Sequence, residues 1–131
     1  MSLINFDESA WPVVSVTWGA GEASDDDVAS LLARLAKLLE RKQRFGVVLD
    51  SRQGKGVNAK QRQMFATFQT VNNPLLKQYM PMALVLATAF QRGLLTAVNW
   101  LQPPANEQKV FSEPGPAFAW IRERLEVTQP A

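Results

Sequence analysis

Apolar residues along this chain follow two alternating rhythms: short dense runs, and longer stripes at three-to-four-residue spacing. The dense runs predict strands at Leu3–Phe6, Pro12–Gly19, Arg44–Asp50, Met82–Thr88 and Gln108–Ser112. In the second run Val14, Val16 and Trp18 fall on one face, with Val13, Ser15 and Thr17 on the other. The polar residues from Asp7 to Ala10 suit a hairpin between the first two strands. Arg44–Asp50 and Met82–Thr88 lack alternation, as expected of strands covered on both faces.

The stripes predict helices. In Ser24–Gln43, Val28, Leu31, Leu32, Leu35, Leu38 and Leu39 form one face. Ser24 is a suitable N-cap, Asp25 to Asp27 suit the positive end of the helix dipole, and cations gather at the far end. A second helix begins at Asn58, with Gln61 at capping-box spacing. Its expected buried side is Met64, Phe65, Phe68, Val71 and Leu75, with a kink or break at Asn72 to Pro74. A third covers Ala89–Gln102, with Gly93 weakening it and Trp100 off its main apolar stripe. The last runs from Pro116 and buries Ala117, Phe118, Ile121 and Leu125. The order β-β-α-β-α-β-α-β-α predicts an α/β fold: a mixed, mostly parallel sheet of about five strands with four helices. At 131 residues, the chain is expected to form one domain spanning 1–131.

Composition narrows the chemistry. The chain contains neither cysteine nor histidine. Thiol catalysis, disulfides, imidazole general bases and Cys/His metal sites are therefore excluded. No cofactor or metal site is expected. The apolar share of 47% is that of a globular domain, and no apolar run is long enough for a membrane span. The N-terminus has no basic segment followed by an apolar one, so a cytoplasmic location is expected. Net charge is +2, but nine cations face two acids, Glu40 and Asp50, between Arg34 and Arg62. That stretch could attract an anionic partner. Helix polarity accounts for much of it, and no aromatic RNA-stacking motif or recognition helix accompanies it, so nucleic acid is disfavoured.

The connection Ser51–Asn58 is the richest in candidate chemistry. Gly54, Lys55 and Gly56 suggest a P-loop, but the required earlier glycine is Leu49, and glycine replaces the Ser or Thr after lysine. Flexible amides, Arg52, Lys55 and a helix start could still hold an anion. Asp50, at the end of a central strand, reads either as a functional acid or as one that fixes the loop by accepting backbone amides or pairing with Arg52. Met64, Phe65 and Phe68 read as core, or as the lining of a lipophilic cavity. Trp18 and Trp120 read as core, Trp11 as an edge residue and Trp100 as an exposed anchor.

Several stretches together resemble the STAS domain, in its SpoIIAA-like, anti-sigma-factor-antagonist form, and more narrowly its small stand-alone bacterial branch. They are the loop after "FGVVLD", the strand "MALVLAT", and the closing "KVFSEPGPAFAWIRERL", with Val110 and Phe111 followed by Ala119 and Trp120. The resemblance spans nearly the whole chain and rests on pattern more than on one motif. It implies a non-enzymatic regulatory module that signals by binding another protein. Such domains are switched by phosphorylation of a serine or threonine at the start of the helix after the third strand. Here that place reads Gly56, Val57, Asn58, Ala59, Lys60, with no hydroxyl, and Ser51 lies earlier. Partner binding without the usual phosphoserine switch is therefore expected. The expected contacts are Ser51, Arg52, Lys55, Asn58, Lys60, Arg62, Phe90 and Arg92. Two further expectations are self-association through the amino-terminal hairpin and, as the alternative function, carriage of a small lipophilic or anionic ligand at Met64, Phe65 and Phe68.

Overall fold

The computed structural model describes residues 3–89, 91–93 and 104–127. Five strands, β1 (Ile4–Asp7), β2 (Val13–Trp18), β3 (Gly46–Asp50), β4 (Met82–Val85) and β5 (Gln108–Phe111), lie in that order across one sheet. β1 pairs antiparallel with β2, and the remaining neighbours are parallel. Helix α1 (Asp25–Glu40) joins β2 to β3, α2 (Ala59–Tyr79) joins β3 to β4, and a C-terminal helix spans Pro114–Val127. The third predicted helix, Ala89–Gln102, lies largely outside the described residues, although the backbone at 91–93 is helical.

Strand alternation divides the core in two. Val14, Val16, Trp18 and Val47 point to one face, where Val28, Leu31, Leu32, Leu35, Leu38 and Leu39 of α1 and Leu76 of α2 cover them. Val13, Val48, Ala83 and Val85 point to the other, under Ala117, Ile121 and Leu125 of the C-terminal helix. β3 thus sends one valine to each core, which is why its sequence is a continuous apolar run. The C-terminal helix approaches β3 closely because Gly46 has no side chain. A Cβ there would stand 2.4 Å from Ile121 Cγ2.

Capping follows the sequence. Ser24 Oγ accepts from the Asp27 amide, and Asp27 accepts in return from the Ser24 amide. Asn58 and Gln61 form the same reciprocal pair at the start of α2. Three expectations are corrected. α2 is continuous from Ala59 to Tyr79 with Pro74 inside it, so of the expected kink or break the break does not occur. Anchoring on both sides of the proline accounts for this: Phe68 before it, and Leu75 and Leu76 after it, pack on one core. Val71, expected on the buried side, is 72% exposed. At 100° per residue it sits about 80° around the helix from the buried Gln61. The strand expected to reach Thr88 stops at Val85, and Ala87 and Thr88 are exposed.

Trp11 stacks on Phe45 at 5.3 Å between ring centres, and Trp18 is buried as expected. Trp120, expected in the core, is half-buried and tilts against Phe111 at its margin. Trp100 lies outside the described residues.

Candidate functional site

The parallel strands β2, β3 and β4 point their carboxyl ends toward one end of the sheet, where such folds commonly place ligand and partner sites. The loop from Ser51 to Asn58 stands there. Its first residue continues the sheet, since the Ser51 amide donates to the Val85 carbonyl at 3.0 Å. A tight turn follows, with the Gly54 amide donating to the Ser51 carbonyl at 3.0 Å. Gly54 also forms an isolated parallel bridge with Gly21 and lies on the buried Trp18 ring. A Cβ at Gly54 would be 2.9 Å from Trp18 Cδ1, so the turn seats against the ring only with glycine there.

Asp50 settles between its two readings. Its carboxylate accepts from Arg52 Nε at 3.0 Å, from Arg52 Nη2 at 2.8 Å and from the Arg52 amide at 3.1 Å. This forked, charge-assisted contact holds the Asp50 carboxyl below the usual carboxylate range. Asp50 is the acid that shapes the loop, and Arg52 spends its guanidinium on that task. The side chains are 16% and 41% exposed, so the pair lies at the surface with the acid on its inner side.

Three of the other expected contacts, Lys60, Arg62 and Asn58, are likewise engaged. Lys60 Nζ lies 2.9 Å from Asp25 Oδ2, joining the start of α2 to the start of α1. The pairing raises the lysine above its ordinary range and lowers the aspartate. Arg62 Nη1 donates to the Val57 carbonyl at 3.1 Å and closes the loop onto the helix. The Asn58 side chain is committed to the cap. Lys55 is exposed at the turn's outer side. It lines a polar cleft of about 260 Å³ together with Glu22, Ala23, Gly56, Val57, Asn58 and Gln61. Met64, Phe65 and Phe68 do not line this cleft. They are half-buried against the α1–α2 core, with Phe65 tilted on Trp18 at 6.5 Å. Phe90 lies outside the described residues, and Arg92 is exposed with its amide donating to the Thr88 carbonyl.

Two glutamines carry more of this site than their sequence positions suggested. Gln61 is 2% exposed and donates from Nε2 to the Ala23 carbonyl at 2.8 Å and to Asp25 Oδ1 at 3.2 Å. It therefore ties the cap of α2 to the entry of α1. Gln91 accepts from the Ala87 amide at 2.7 Å, and its amide donates to the carbonyls of Ser51, Arg52 and Gly54 at 3.2, 3.3 and 3.4 Å. The Gln91 backbone amide donates to Thr88 Oγ1 at 3.1 Å, as at a capped helix start. Thr88 and Gln91 stand at capping-box spacing, the same signal read at Asn58 and Gln61, so the sequence offered a way to find this residue.

Among the described residues, no group of three or more acidic residues could hold a metal ion, and no helix is long and apolar enough to cross a membrane. No family model matches the chain, and no curated protein matches it. A solved structure does: an uncharacterized protein of the DUF3478 family from Shewanella loihica PV-4, with a SpoIIAA-like fold. It is 16% identical, superposes with a TM-score of 0.66, and the match covers 90% of this chain and 91% of that one. The fold of this chain is SpoIIAA-like, a mixed five-stranded α/β architecture.

Proposed function

We propose that this SpoIIAA-like chain is a non-enzymatic, cytoplasmic regulatory module that binds another protein through the Ser51–Asn58 loop and the start of α2. One observation carries the reading: among the described residues, Asp50 and Asp25, the acids in contact with this surface's cations, are paired, and of the loop's own cations Lys55 alone is not. Asp50 holds Arg52, and Asp25 holds Lys60. An acid so paired stays ionised and hydrogen-bonded, which suits a rigid surface better than proton transfer. Lys55 stands outside these pairs, exposed beside the polar cleft. It supplies the positive point by which an acidic segment of a partner is steered. Ser51 is half-buried at the strand end, away from the helix start where a phosphate would meet the Asn58 cap. Docking in this reading therefore does not use the phosphoserine switch.

The test is affinity capture from the native cell with wild-type protein, Lys55→Glu and, as a distant control, Lys42→Glu at the far end of α1. The expected result is a partner retained by wild type and the control. Lys55→Glu should lose it several-fold, the size of about 1 kcal/mol for one exposed charge pair. Equal retention by all three, with unchanged circular dichroism, would refute the proposed surface.

A further inference from the structure

We propose that Gln91 is a positioning residue that latches the loop after β3 to the segment after β4, making one preformed docking surface from two connections. The inference rests on the reading above that this surface docks a partner, and concerns how the surface is kept ready.

The geometry is that of a two-ended clamp. At one end Gln91 Oε1 accepts from the Ala87 amide at 2.7 Å. At the other, Nε2 faces the carbonyls of Ser51, Arg52 and Gly54, all within 3.4 Å. An amide nitrogen carries two hydrogens, so three acceptors must share them. Reversing the amide would set oxygen against three carbonyls and nitrogen against an N–H, so the network permits one orientation. The clamp crosses from residue 91 to residue 51 in sequence; the loop's other side-chain ties, Asp50 to Arg52 and Arg62 to Val57, are local, and its other long-range ties, Ser51 to Val85 and Gly54 to Gly21, are made by backbone. Beneath the turn lies Trp18, against which Gly54 is seated. The turn is thus held by packing on Trp18, by the backbone bridge of Gly54 to Gly21, and by one side-chain amide from the segment after β4.

A loop so held loses little conformational freedom when a partner arrives, which is the advantage of preorganisation. It also gives the surface two settings. With the amide engaged, the carbonyls of Ser51, Arg52 and Gly54 are occupied. With it displaced, the Arg52 and Gly54 carbonyls are open to a partner's donors, while the Ser51 carbonyl still accepts from the Gly54 amide.

Hydrogen exchange read by mass spectrometry tests this on the intact chain, with Gln91→Ala and Gln91→Glu beside the wild type. Glutamate keeps an acceptor for the Ala87 amide but replaces the donor that faces the three carbonyls. In Gln91→Ala the amides of Arg52 and Gly54 and that of Ala87 should exchange about tenfold faster, the change expected for loss of a local hydrogen-bond tie. In Gln91→Glu the loop amides should speed up while Ala87 stays protected. Amides of β3 such as Val47 and Val48 should be unchanged in both. Loop exchange equal to wild type in either variant would overturn the proposal. So would a parallel rise across β3, which would make Gln91 a general stability residue. Exchange needs no partner, so a failed latch and a failed docking surface give separate results.

Discussion

Pro74 lies inside α2, exposed, with helix continuing to Tyr79. It has no N–H to offer the Thr70 carbonyl, and its ring crowds that oxygen. The cost relative to alanine is about 3 kcal/mol in a helix interior. Proline also restricts the unfolded chain, which returns about 0.4–1 kcal/mol. Pro74→Ala should therefore stabilise the protein by about 2 kcal/mol. For 131 residues at about 2.1 cal/mol/K each, the unfolding entropy is about 275 cal/mol/K, so the melting temperature should rise by about 7 °C. Thermal unfolding followed at 222 nm measures it, with urea titration as the isothermal check. A melting temperature that stays level or falls would refute the reasoning. It would mean that the backbone geometry set by proline is needed to seat Leu75 and Leu76 on the core, and that this packing outweighs the missing backbone bond.

Gly46→Ala should destabilise by about 1–3 kcal/mol, because its new methyl overlaps the fully buried Ile121. Combined with Ile121→Ala, the alanine at 46 should cost much less than it does alone; strictly additive losses in urea unfolding would show that the two sites do not touch. Asp50→Asn should lower stability at pH 7 by at most about 1 kcal/mol, given the surface position of the pair. The Asp50 carboxyl is depressed in the folded state, so its contribution is complete above the unfolded value near pH 3.9 and is lost as pH falls through the lower folded value. Wild type and Asp50→Asn should thus differ at neutral pH and converge in acid, and a constant gap across that window would rule out ionisation of Asp50 as the cause.

The cores were legible because they depend on period. The α1 stripe from Val28 to Leu39 and the run Val47–Val48 name their own partners once the strand and helix periods are known. The caps at Ser24 and Asn58 were legible because capping is decided within four residues. The α2 error had the opposite origin. Local rules give Pro74 a kink or break, and the break does not occur because the helix segments on both sides are anchored to one core by Phe68, Leu75 and Leu76. At the site, a single sequence displays charges without their pairings. Arg52, Lys60 and Arg62 read as a cationic docking set, and only the folded chain shows Arg52 on Asp50, Lys60 on Asp25 and Arg62 on the Val57 carbonyl.

The sequence by itself determined the order of the five strands along the chain, the apolar stripe of α1 and the caps at Ser24 and Asn58, and that histidine and cysteine chemistry could play no part. Those outcomes depend on composition, period and neighbours a few positions away. Tertiary structure alone decided which charges remained outward, why Gly46 and Gly54 must be glycine, and that Gln91 would reach across 40 positions to the Ser51 carbonyl. Such contacts join residues distant in the chain, and their geometry exists only once the sheet has brought the ends of β3 and β4 side by side.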